Sequence, residues 1–93
     1  MLSKKRTATH PGEILQYEFL EPLEISQADL ARHPGVPNQR ISELVMGKRG
    51  ITPDTAWLLS KALNTTPEFW MNLQTNYDLT SVEPPRGIKK LVA

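Results

Sequence analysis

Apolar residues recur along this chain at helical spacing, and no stretch sustains the two-residue alternation of a strand. Ile14, Leu15 and Phe19 share one face of a first helix opened by Pro11 and Gly12. That helix is expected to end near Glu21 and Pro22, because proline disfavours helical geometry in the residue before it. Ser26 is a good N-cap for a second, short helix, with Asp29 at the third helical position in imitation of a capping box. Leu30 and Ala31 form its apolar face, and Pro34-Gly35 stop it. In a third helix Ile41, Leu44 and Val45 make an i, i+3, i+4 stripe, Pro37 sits at a start that tolerates proline, and Gly47 closes the end.

Thr52-Pro53-Asp54 and Thr66-Pro67-Glu68 repeat one start signal: a hydroxyl N-cap, a proline at the first helical position, then an acid that suits the helix dipole. The fourth helix so opened buries Ala56, Leu59 and Leu63, and the fifth presents Trp70, Leu73 and Tyr77 at i, i+3, i+7. Residues after Thr80, with Pro84-Pro85, read as a flexible tail. The fold class is therefore all-α with five helices, divided as a basic arm (1–10), a helical domain (11–79) and a tail (80–93).

A length of 93 residues supports one domain with one modest core. With no cysteine, neither a disulfide framework nor a thiolate site can be built. The basic start, Lys4-Lys5-Arg6, leads into polar Thr7-Ala8-Thr9-His10 where a signal peptide needs apolar residues, and no run is long and apolar enough to span a bilayer. A cytoplasmic protein is expected.

Net charge is only +1, but the signs are segregated. Glu13, Glu18, Glu21 and Glu24 make the first helix acidic. Between Ser26 and Gly50 the bases Arg32, Arg40, Lys48 and Arg49 outnumber Asp29 and Glu43, and Arg86, Lys89 and Lys90 outnumber Glu83 in the tail. A weak global charge thus hides a local basic surface.

That surface coincides with two short helices joined by a Gly-containing connection, the arrangement of a helix-turn-helix. With Ile41, Leu44 and Val45 inward, the 100° step per residue turns Gln39, Glu43 and Met46 outward and puts Asn38, Arg40 and Ser42 on the flanks. Asn and Gln pair bidentately with adenine, Arg with guanine, and Ser bonds base edges or phosphates. The DNA-facing set is Pro37, Asn38, Gln39, Arg40, Ser42 and Glu43, with Glu43 excluding wrong bases, Lys48 and Arg49 clamping phosphates, and Gln27 placing a phosphate at the start of the second helix.

These residues carry a family resemblance. His10-Pro11-Gly12-Glu13-Ile14-Leu15, Ser26-Gln27-Ala28-Asp29-Leu30-Ala31, Gly35-Val36-Pro37, Arg40-Ile41-Ser42-Glu43, Gly47-Lys48-Arg49-Gly50-Ile51-Thr52 and Pro67-Glu68-Phe69-Trp70 with Asn72-Leu73 resemble HigA-type antitoxins of the Xre/Cro-like helix-turn-helix group over residues 10 to 79. The chain departs from that pattern at Pro34, where Leu is usual, and at Met46, where a polar residue is usual. The resemblance implies a lambda-repressor-like domain whose third helix enters the major groove of operator DNA. It also implies a homodimer joined through the fifth helix, at Phe69, Trp70, Leu73 and Tyr77, and a HigB-type mRNA-cleaving toxin that docks elsewhere.

The remaining features point to blander roles. His10 and His33 lack metal spacing and read as structural or solvated. The glutamates of the first helix read as a solvated face before a toxin-docking one. The group Trp57, Phe69, Trp70, Leu73 and Tyr77 reads as core or interface before a ligand pocket, with Trp70 at the interface. Lys4, Lys5 and Arg6 are equally a DNA arm or a soluble end. No nucleophile–base constellation, metal spacing or phosphate loop is present, so no enzyme, cofactor or small-molecule substrate is expected. Two rivals remain: a stand-alone repressor without a toxin, and a protein-interaction module that has lost DNA affinity.

Overall fold

The computed structural model describes residues 8–93, and Lys4, Lys5 and Arg6 lie outside them. Helix α1 runs unbroken over residues 11–23, as Pro11–Ile14, a widened π-type turn at Leu15–Leu20, and Glu21–Leu23. It is followed by α2 (Gln27–Arg32), α3 (Asn38–Val45), α4 (Pro53–Leu63) and α5 (Pro67–Thr80). No strand occurs among the described residues.

Pro22 does not end α1 as expected; the helix continues to Leu23. A regular α-turn would drive the proline ring against the carbonyl four residues back. The widened turn before it relieves this, with the Glu21 N–H donating to the Gln16 carbonyl instead. The stop comes at Glu24, in the left-handed conformation with φ 57°.

Four helices end on the same closure, in which a left-handed residue lets the next N–H reach back five positions. Ile25 N–H donates to Leu20 O, Val36 to Ala31 O, Lys48 to Glu43 O and Thr65 to Ser60 O, at 2.8–3.1 Å. Gly35 and Gly47 make two of these turns without strain, and Asn64 makes another. Starts follow the sequence signals less evenly. Ser26 Oγ accepts from Asp29 N–H at 2.9 Å and Thr66 Oγ1 from Phe69 N–H at 3.1 Å. Thr52 makes no such cap; its hydroxyl donates to Asp54 Oδ1 and lies 3.3 Å from Thr55 Oγ1.

Leu15, Leu20, Leu30, Ile41, Leu44, Leu59 and Trp70 form the buried centre, and Leu63 and Val45 pack at its margin. Trp70 corrects the sequence-based expectation: it is fully buried within one chain and is no dimer contact. Its ring packs against Phe19 and Phe69, with centroids 5.2 and 5.0 Å away, and its Nε1 donates to Thr65 Oγ1 at 2.7 Å. The stripe was legible, but an apolar stripe does not say whether it faces its own core or a partner.

His10 belongs to the folded domain and not to the arm. It is buried, its Nδ1 accepts from Gly12 N–H at 2.9 Å to cap α1, and its ring meets Tyr77 edge-on at 4.8 Å. Ala8 N–H donates to Thr80 Oγ1 at 2.7 Å, so the chain is tied to the end of α5 before α1 begins. Residues 81–93 are exposed and form no helix or strand.

Candidate nucleic-acid interface

Helices α2 and α3 and the turn between them stand as the sequence predicts, with Ile41 and Leu44 holding α3 against the core. Gly12 sets how closely α1 approaches: a Cβ there would lie 1.8 Å from the Leu44 carbonyl oxygen. The side of α3 left open carries Asn38, Gln39 and Met46 in exposed positions, with Ser42 and Glu43 half-buried and the Ser42 hydroxyl turned to the Met46 sulfur at 3.7 Å. Pro37 is exposed as the residue before the helix.

The open side is organised around Glu43. Its Oε2 accepts from Gln39 Nε2 at 2.8 Å, and its Oε1 accepts from Arg49 Nε at 3.2 Å and Nη2 at 2.8 Å. Hydrogen bonds from Arg49 and then Gln39 hold the Glu43 carboxyl below the usual carboxylate range. Lys48, between Gly47 and Arg49, is exposed and makes no ion pair among the described residues.

Arg40 is placed differently from what its sequence position suggests. Its Nη2 donates to Asp54 Oδ2 at 2.9 Å and to Thr55 Oγ1 at 2.7 Å, and its side chain is 23% exposed. The guanidinium faces the start of α4. Hydrogen bonds from Thr52 and then Arg40 keep the Asp54 carboxyl below its ordinary range. On α2, Asp29 is likewise held low, first by Ser26 and then by Arg32, whose Nη1 lies 3.0 Å away. All three arginines of the basic segment are thus paired within the chain, leaving Lys48 as its one unpaired cation among the described residues.

Gln27, half-buried at the start of α2, donates from Nε2 to Gln16 Oε1 at 3.3 Å, and Gln16 in turn donates to Glu21 at 3.2 Å. Of the α5 residues, Phe69 is 37% exposed, Leu73 packs beside the core and Tyr77 is half-buried against His10. Sequence reasoning missed Gln74. Its Oε1 accepts from Ile51 N–H at 2.6 Å and its Nε2 donates to Asp78 at 2.9 Å, tying the Lys48–Arg49 loop to α5. No local pattern signals a bond between residues 23 positions apart.

Among the described residues, no group of three His, Cys, Asp or Glu could hold a metal, and no helix is long and apolar enough to cross a membrane. The helix-turn-helix family model matches residues 17–70. An HTH-type transcriptional regulator of Haemophilus influenzae is 42% identical over 93 residues, covering 100% of this chain and 85% of that protein. The Pseudomonas aeruginosa antitoxin HigA, solved with the higBA promoter, is 44% identical with a TM-score of 0.76, over 78% of this chain and 79% of that one. Antitoxin GraA in complex with its operator superimposes over 100% of both chains with a TM-score of 0.85 at 38% identity.

Proposed function

Because the chain belongs to the helix-turn-helix family that includes the HigA antitoxins, we propose that it is an operator-binding antitoxin. As a homodimer it represses its own promoter, and it neutralises a HigB-type mRNA-cleaving toxin. The observation that carries the DNA reading is the open side of α3, where Asn38, Gln39 and Ser42 lie along one short helix, Met46 caps its C-terminus and Lys48 follows. Amides and a hydroxyl match base edges, a methionine suits a thymine methyl, and an unpaired lysine suits a phosphate.

Two such helices related by a two-fold axis reach half-sites about one DNA turn apart, roughly 34–36 Å. Phe69, Leu73 and Tyr77 on α5 supply the surface for that pairing, without Trp70. Gln27 contributes from the start of α2, where its amide is steadied by Gln16. Arg40 is paired with Asp54 and Arg49 with Glu43, so base reading falls to the amides and phosphate clamping first to Lys48. No reaction is assigned to the chain, and a promoter-bound role places it in the cytoplasm.

The test is a mobility shift of the pure protein on its own promoter against scrambled DNA at near-physiological salt, where purely electrostatic binding is suppressed. Selective retention supports operator binding; loss of selectivity, with or without added toxin, leaves a protein-interaction module. A stand-alone repressor is the second reading, favoured by likeness to the Haemophilus influenzae regulator. Co-purification with the product of an adjacent toxin-like reading frame decides between antitoxin and stand-alone repressor.

A further inference from the structure

A glutamate in the middle of a DNA-facing helix is a liability, since a carboxylate repels phosphates and among base edges finds a donor chiefly at the cytosine amino group. Glu43 is not available for that. Both of its oxygens are occupied, Oε2 by Gln39 and Oε1 by two nitrogens of Arg49, and its side chain is only 29% exposed against 46% for Arg49. Its backbone is occupied as well: the Glu43 carbonyl accepts from Lys48 N–H at 2.8 Å, which closes the turn leading to Arg49.

From this geometry we infer that Glu43 is a positioning residue for base recognition: it fixes the Gln39 amide in one orientation and holds Arg49 off the DNA backbone. This rests on the operator-binding reading above. A carboxylate can only accept, so the end of Gln39 that faces it must be the amino group. The opposite end, Oε1, and the second N–H then point away from Glu43 in a defined order. That order matches the amino donor and N7 acceptor that adenine presents in the major groove. The base recognised opposite Gln39 is therefore adenine, and Glu43 selects it without touching it. Pairing Arg49 with Glu43 also removes one phosphate-seeking charge, which suppresses attachment to DNA of any sequence.

Glu43→Gln keeps the shape and removes both effects, because an amide at 43 accepts or donates and no longer dictates how Gln39 lies. On the chain's own promoter and a set of single-base variants, the preference for adenine is expected to fall by about tenfold, within the discrimination of one bidentate contact. Affinity for scrambled DNA is expected to rise, with the slope of log K against log salt steeper by about 0.9 as Arg49 gains a phosphate. An unchanged thermal midpoint shows that the variant is folded. In a Gln39→Ala background the substitution should leave base preference unaltered.

Unchanged selectivity in Glu43→Gln overturns the inference. So does a loss of selectivity that persists when Gln39 is alanine, since Glu43 would then read a base itself. Absence of selective binding by the unaltered protein removes the operator-binding reading and this inference with it, and the two failures appear in different arms of the experiment.

Discussion

Arg40 and Asp54 join α3, the second helix of the helix-turn-helix, to α4: Nη2 and Oδ2 are 2.9 Å apart, and the same nitrogen reaches Thr55 Oγ1 at 2.7 Å. The bond spans fourteen residues of sequence and fixes how α3 is presented relative to α4. A side chain that looks like a guanine reader from its position in the helix is placed as a strut between α3 and α4.

Replacing Arg40 with alanine should therefore cost about 1 kcal/mol of stability, the sum expected of a partly exposed ion pair and one hydrogen bond. Operator affinity should fall by a similar factor on every single-base variant. A denaturant titration paired with binding to the variant set checks this; a loss confined to one base pair would show that Arg40 leaves Asp54 to read a base.

Trp70→Ala should cost about 3–5 kcal/mol, enough to unfold much of so small a domain. Trp70→Phe keeps most of the ring and loses the bond to Thr65, so it should cost less and leave the oligomeric state unchanged. Sedimentation together with chemical denaturation distinguishes this core role from an interface role, in which dimerisation would weaken while the fold stayed intact.

Gly12→Ala should be among the most damaging small substitutions. The added carbon would fall 1.8 Å from the Leu44 carbonyl oxygen, so α1 must move away from α3, at about 3 kcal/mol or more. Gly35→Ala meets nothing within 4 Å and carries only the cost of the left-handed backbone, about 1–2 kcal/mol. Comparing the two thermal midpoints separates close approach from conformational strain.

His10 makes stability depend on pH. Burial lowers its pKa from the ordinary 6.5, with Glu13 and Asp78 partly opposing the shift, and a protonated Nδ1 could not accept from Gly12 N–H. The unfolded chain then binds a proton more readily than the folded one, so this contribution is complete above about pH 6.5 and is lost as the pH falls below it. His10→Asn keeps a capping acceptor that does not titrate. Its melting temperature should change less between pH 7.5 and 5.5 than that of the unaltered protein.

Lys48→Ala should weaken binding to operator and scrambled DNA alike and flatten the salt slope by about 0.9, the signature of one phosphate contact. A change in base preference would move Lys48 from the backbone to the groove.

Five helices, their capping residues Ser26 and Thr66, the left-handed stops at Gly35 and Gly47, and the inward stripe of Ile41 and Leu44 were all determined by the sequence itself. Each depends on residues three to five positions apart, a range over which periodicity and turn chemistry act directly. The tertiary structure decided what each side chain meets across space. Arg40 turns to Asp54, Glu43 is satisfied by Gln39 and Arg49, Ile51 is held by Gln74, and Trp70 is buried in its own core. A helical pattern states which residues share a face; only the packing of five helices settles what that face is set against.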